Sequence, residues 1–201
     1  MLNNPVVRPP LLAGPDNHFE DLLAFIFLSR PKQQLLQRRL SVGDKAPSLP
    51  SPPSAKATQM IAFLRHVGCP FAEHCVKRLR YWADEHPDIE VSIVSHGDHK
   101  ASKRWLNSIG GQGRLHLIDD PERELYGQWG LGYSNLGHFM GLRSLLGVLR
   151  LLPRGIRNRQ ACGTRWQRSG LFLLKENRII WYHIPHSAEI LTLPQGKLIT
   201  G

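Results

Sequence analysis

Apolar residues fall in short blocks separated by glycine, proline and charge, and their spacing alternates between two periods along the chain. Gln59 to Leu64 is a nearly continuous apolar run of strand length, which predicts a buried strand. It ends in Arg65-His66-Val67-Gly68-Cys69-Pro70. A helix is predicted from about Phe71 to His86, and Pro87 closes it. A proline one residue after a candidate cap is a helix-start signal. Ile89 to Ser95 predicts a second strand, Lys100 to Ile109 a helix, and Gly110-Gly111-Gln112-Gly113 a turn. Leu115 to Ile118 predicts a short strand, and Pro121 opens a helix through Tyr126. His138 to Leu152 predicts an apolar helix dotted with basic residues and stopped by Pro153. Leu171 to Leu174 and Ile179 to His183 predict a hairpin turning at Glu176-Asn177-Arg178. Ser187 to Leu193 predicts a last short helix.

This alternation of strand and helix argues for an α/β layered fold with a central sheet. Ahead of it lies a segment of different character. Residues 1 to 17 are rich in Pro and Asn and predict no fixed structure. Asp16 or Asn17 caps a predicted helix through DLLAFIFLSR, and the KQQLLQRRL that follows Pro31 is basic and helix-compatible. The expected division is an N-terminal, partly helical extension over 1–40 and a main domain over 41–201, with a proline-rich link through Pro53.

Composition narrows the setting. The 201 residues suffice for a buried core without disulfide staples. With 26 Lys and Arg against 16 Asp and Glu, the net charge is +10, a balance compatible with nucleic acid, anionic lipid or an acidic small molecule. Leu125 to Lys175 holds no acidic residue and eight basic ones: Arg143, Arg150, Arg154, Arg157, Arg159, Arg165, Arg168 and Lys175. A solvated basic face accounts for this, and without a zinc-finger or recognition-helix pattern a nucleic acid partner is not expected. In the predicted helix, Phe139, Leu142, Leu146 and Leu149 form an apolar stripe, widened by Leu145, Val148 and Leu152, and Arg143 and Arg150 share a face. Such a helix covers a sheet, lies on a membrane surface or forms an oligomer interface such as a homodimer contact. The longest apolar run near the start, Leu22 to Leu28, is too short to span a bilayer, and no signal peptide is evident. Three sparse cysteines do not form a secreted disulfide framework, so a reducing, cytoplasmic home is expected.

The chemistry centres on Cys69. A thiol between a strand exit and a helix start faces unsatisfied backbone N–H groups, whose partial positive charge favours thiolate. Arg65 and His66, just upstream, add positive potential, and Pro70 presets the backbone. The alternative is a small buried residue without reactivity. His66 and His74 flank the thiol, either as a base or as packed imidazoles. His96-Gly97-Asp98-His99 lacks zinc spacing and reads as a polar loop, so neither a metal nor another cofactor is expected. Trp129, Tyr133, Trp166 and Trp181 line a pocket or fill the core.

Several blocks, in order, resemble the peroxiredoxin-like proteins of the alkyl hydroperoxide reductase and thiol-specific antioxidant superfamily. They are Gly43-Asp44-Lys45-Ala46-Pro47, the stretch from Phe63 to Glu73 around Cys69, Asp120-Pro121 through Trp129-Gly130-Leu131-Gly132, and Gly163 to Phe172. The resemblance implies a thioredoxin-like fold with a mixed sheet flanked by helices. It implies a thiol nucleophile at Cys69 and a substrate site around Pro70, Phe71, Trp166 and Ser169. It also implies an assisting arginine, for which Arg168 is the nearest match although Ser169 stands before Gly170. On the family motifs Cys69 takes the first position, and the second falls on Ala72, which has no thiol. Cys75 lies six residues along the same helix, roughly 9 Å of rise away. That exceeds the ~7 Å beyond which a disulfide needs backbone movement. Cys162, ahead of the late strand, is then the candidate resolving thiol; otherwise glutathione or thioredoxin acts as the reductant. Three functions follow as expectations: a thiol-dependent oxidoreductase acting on a peroxide or mixed disulfide, a non-redox enzyme of specialised metabolism with an organic substrate near Cys69, or a non-catalytic binding module.

Overall fold

A computed structural model describes residues 34–50, 58–134, 142–159, 161–186 and 191–194. The helix expected through DLLAFIFLSR, the first turn of the helix expected from His138, and the start of the one expected at Ser187 lie outside the described residues.

Five strands form one mixed sheet in the order β3-β2-β1-β4-β5. They are β1 (Thr58–Phe63), β2 (Glu90–Ser95), β3 (His116–Asp119), β4 (Gly170–Lys175) and β5 (Arg178–His183). β1, β2 and β3 run parallel, with Ile61 opposite Ser92 and Val94 opposite Ile118. β4 returns antiparallel to β1, with Ile61 opposite Phe172, and β5 closes a hairpin on it. The hairpin turns through Glu176 and Asn177, both at positive φ (49° and 61°), the backbone twist a two-residue loop needs to match its strands.

Side chains alternate across the sheet in β1, β2 and β4, whereas in β5 the register shifts and Ile180 and Trp181 both pack on the first core. Met60, Ala62, Val91, Ile93, Leu171 and Leu173 pack with helices α1 (Pro70–Glu85) and α2 (His99–Ser108) through Val76, Leu79, Trp82, Trp105 and Leu106. Ile61, Phe63, Val94, Phe172 and Leu174 pack on the other face with the short helix α3 (Glu124–Gln128), through Leu125, Tyr126 and Trp129. A period of two in the strands thus supplies two cores, one for each face. Helix α4 (Leu142–Leu151) and a 3-10 turn (Leu152–Arg154) lie over the N-terminal end of α1. Gly147 comes so close to the Phe71 ring that a Cβ there would fall 2.8 Å from it.

Two segments that the sequence allows as helix are irregular in their described parts. Gln34 to Leu40 has no regular secondary structure. It is held instead by α3 and the turn before it: Gln37 N–H donates to the Gly127 carbonyl (3.1 Å), the Gln34 side chain donates through Nε2 to the Glu122 carbonyl (2.6 Å), and Leu40 enters the second core. Gly127 and Gly130 permit this approach, since a Cβ at either would meet carbonyl oxygens of the segment at 2.8 and 3.0 Å. Leu191 to Pro194 is likewise irregular, and Leu191 and Leu193 plug the first core as single side chains.

Tyr126 ties the two layers at the end of the sheet that carries Cys69. Its hydroxyl, fully buried, lies 2.6 Å from the Leu64 carbonyl and 2.9 Å from that of Val94. The Val94 carbonyl also accepts the Leu64 N–H (3.0 Å), so loss of the phenol would strand chiefly the Leu64 oxygen. Tyr126→Phe is expected to cost about 1–3 kcal/mol of stability, measurable as a lower urea midpoint at unchanged m-value.

Candidate active site

β1 ends at Phe63, and the chain leaves the sheet through Leu64 to Val67 and a turn at Gly68 (φ 86°). Cys69 is the N-cap of α1, with extended backbone (φ −72°, ψ 129°), and Pro70 is the first helical residue. The Cys69 carbonyl accepts the Glu73 N–H (3.0 Å), and its own N–H donates to the His66 carbonyl (3.1 Å). The thiol therefore sits at the open N-terminus of a 16-residue helix, only 2% exposed.

The groups around it are basic. Arg65, 5% exposed, directs Nη1 toward the Cys69 Sγ at 4.0 Å while Nη2 donates to the Arg165 carbonyl at 3.0 Å; its Nε is buried without a partner. Arg165 is half-buried and interacts electrostatically with both Cys69 and Arg65, and desolvation lowers its pKa. His66 is buried with neither ring nitrogen bonded; burial, then Arg65, Arg165 and His96, push its pKa well below the usual value, so it is neutral. His96 is also buried, with its pKa lowered by burial to about 4, and its Nε2 lies 3.1 Å from the Thr164 carbonyl. A neutral ring donating from Nε2 satisfies that contact.

A second segment holds this turn from outside. Val67 and Cys162 exchange both backbone hydrogen bonds at 3.2 Å, and Arg159 N–H donates to the Gly68 carbonyl at 3.0 Å. Gly163 (φ 90°) abuts the His96 ring so closely that a Cβ would fall 2.6 Å from it. Glu73, the one acid in the first turn of α1, is 1% exposed and already paired with Lys77 (2.7 Å) and Arg159 (3.3 Å).

The residues singled out from the sequence separate on this geometry. Cys69, Arg65 and His66 come together, and Pro70 and Phe71 start the helix beneath α4. Ser169 joins Leu64, Arg65, Phe71, Ala72, Cys75 and Leu191 around a cavity of about 10 Å³, room for about one water. Arg168 is engaged elsewhere: Nη2 donates to the Pro185 carbonyl (3.0 Å), and the charge acting on it is that of Arg39. Arg165, three residues earlier, is the late-loop arginine whose charge acts on Cys69, and its carbonyl accepts from Arg65. Its only sequence signal was its place in the Gly163–Gln167 block. Trp166 contributes its carbonyl to Ser134, and Trp129 is fully buried core against Phe63 and Phe172.

All three cysteines are free. Cys75 is fully buried, and burial pushes its thiol up to about 12. The Cys162 thiol donates to Asp98 Oδ2 at 3.3 Å, and burial raises its pKa. Asp98 also caps α2 by accepting the Ala101 N–H (2.9 Å), and His99 pairs with Asp119. Among the described residues no three His, Cys, Asp or Glu side chains gather as a metal site, and no helix is long and apolar enough to cross a membrane.

No family model matches the chain, and no curated protein matches it. Solved structures do. A peroxiredoxin-like protein from Aquifex aeolicus superposes with a TM-score of 0.56 at 15% identity, over 79% of this chain and 84% of that one. A thiol peroxidase from Chromobacterium violaceum gives 0.54 at 11% identity, over 78% and 83%. A peroxidoxin from Mycobacterium tuberculosis gives 0.51 at 11%, over 73% and 86%. The fold is the peroxiredoxin-like form of the thioredoxin fold. The five-stranded mixed sheet with helices on both faces is the arrangement that the sequence resemblance implied.

Two buried neutral histidines make this peroxiredoxin-like fold sensitive to acid. The unfolded chain takes up protons at His66 and His96 near pH 6.5, whereas the folded state resists until well below that, about 4 for His96. Stability is therefore full above about pH 6.5 and falls as the pH drops toward 4, by up to about 1.4 kcal/mol per pH unit for each histidine. Urea melts across that range are expected to show the decline, and His96→Gln should make it shallower.

Proposed function

We propose that the chain is a thiol-dependent oxidoreductase in which Cys69 is the nucleophile toward a peroxide or a mixed disulfide. The observation that carries this reading is the Arg65 guanidinium, buried and 4.0 Å from the Cys69 sulfur at a helix N-terminus. An arginine does not give up its proton, and Glu73 is occupied by Lys77 and Arg159. A thiolate on Cys69 is the group placed to balance the Arg65 charge, and Arg165 adds to the same field.

With a hydroperoxide as oxidant, the thiolate attacks the terminal oxygen and the O–O bond breaks. Cys69 becomes a sulfenic acid, and the alkoxide leaves and takes a proton from water to give the alcohol. Arg65 and Arg165 face the negative charge that moves from sulfur to the leaving oxygen. His66, held neutral, places an imidazole rather than another cation in the turn.

Resolution then falls to an external thiol. Ala72 supplies no sulfur one turn along, the Cys75 thiol is raised to about 12, and that of Cys162 is bonded to Asp98. A glutathione or thioredoxin-type thiol displaces water from the sulfenic acid to form a mixed disulfide, and a second thiol releases Cys69 reduced.

Alkylation kinetics with mass spectrometry test this at each cysteine. Cys69 is expected to react faster than Cys75 at neutral pH and to form a sulfenic acid, trapped by dimedone, after stoichiometric peroxide. Arg65→Gln should slow its alkylation by about tenfold, and Cys69→Ser should abolish the adduct. A Cys69 left reduced by peroxide while the fold is intact would exclude the proposal.

A further inference from the structure

Helix α4 turns leucines outward. Leu145, Leu146, Leu149 and Leu152 are 57%, 42%, 51% and 46% exposed, whereas Leu151 is fully buried and Val148 packs against the first core. At 100° per residue Leu145, Leu149 and Leu146 occupy one arc of α4, and exposed Leu152 follows in the 3-10 turn. Gly147, Val148 and Leu151 occupy the inward arc, with Gly147 against the Phe71 ring. An apolar helix normally turns such residues into the core, and here the core already has its own set.

Arg150 follows Leu149 on the helix, and Arg154 and Arg157, in the 3-10 turn and the chain after it, are exposed as well; the sequence has no Asp or Glu between Glu124 and Glu176. Exposed leucines with exposed arginines close by in the chain suit a surface that is apolar within and anionic at its rim. An acidic protein groove would meet the arginines but would have to supply an apolar floor of matching shape for four leucines. A bilayer with anionic headgroups supplies both without shape matching.

We infer that α4 is an interfacial docking helix that lays its exposed leucine face on an anionic phospholipid membrane, with Arg150, Arg154 and Arg157 against the headgroup phosphates. No segment crosses the bilayer in this arrangement. Because the inner side of α4 rests on Phe71, two residues after Cys69, docking holds the thiol turn beneath the membrane-facing helix.

Vesicle flotation of the full chain tests the inference. The protein should float with phosphatidylcholine vesicles containing phosphatidylserine, bind pure phosphatidylcholine vesicles at least about tenfold more weakly, and be released by high salt. Arg150→Glu/Arg154→Glu and, separately, Leu145→Gln/Leu149→Gln should each reduce binding about tenfold or more while far-UV circular dichroism and melting temperature stay unchanged. Failure to float with phosphatidylserine vesicles overturns the inference. So does a concentration-dependent dimer in sedimentation equilibrium that Leu145→Gln/Leu149→Gln abolishes, because the face would then belong to a second copy of the chain.

Discussion

Burying a guanidinium removes a permanent charge from water, and Arg65 is 5% exposed at the point where β1 delivers the chain to α1. Such a charge persists only where opposite charge or dipoles face it. Here they are the Arg165 carbonyl and the Cys69 sulfur. Much of the local architecture follows from that requirement. The 159–165 segment must lie close enough to present its carbonyl, and the Val67–Cys162 exchange of hydrogen bonds holds it there. His66 has to stay neutral, because a second cation in the same volume would have no compensation.

The same clamp organises the surroundings of the turn. Arg159 bonds Gly68 through its backbone and Glu73 through its side chain, so one residue fixes both the turn and the only acid of the first helical turn. His96 braces the segment from behind by way of the Thr164 carbonyl, and Tyr126 braces the strand ends below. The histidines gain little from this arrangement in water-like terms. They fill space between layers while uncharged, which couples the integrity of the site to pH.

On this frame the helix over Phe71 has two unlike sides. Its inner side completes the core with Leu151 and permits close approach at Gly147. Its outer side keeps leucines in water, a cost that a monomeric soluble fold has no internal reason to bear. The Cys69 turn and the outward leucine face are therefore joined through the packing of this helix on Phe71 and the first core. Chemistry and location can be varied separately by substitution, since the residues of each face away from the other.

The strands and long helices were legible because their determinants are local. Thr58–Phe63, Pro70–Glu85 and Glu90–Ser95 lie within a residue of the segments that periodicity and proline placement predicted. The position of Cys69 at a helix N-terminus follows from Gly-Cys-Pro after an apolar strand, which is likewise local. Gln34–Leu40 was not legible: its sequence permits a helix, and only the surface of α3, with glycines at 127 and 130, draws its backbone into other hydrogen bonds. Nor could sequence spacing choose between Arg165 and Arg168, three residues apart in one basic stretch. Which of them lies at the Cys69 turn depends on how the chain returns across it: the Arg165 carbonyl meets Arg65, a hundred positions away, whereas Arg168 donates to the Pro185 carbonyl. Local sequence determines where backbone hydrogen bonds repeat. Tertiary packing decides which distant charges share a volume, because that depends on how the layers close.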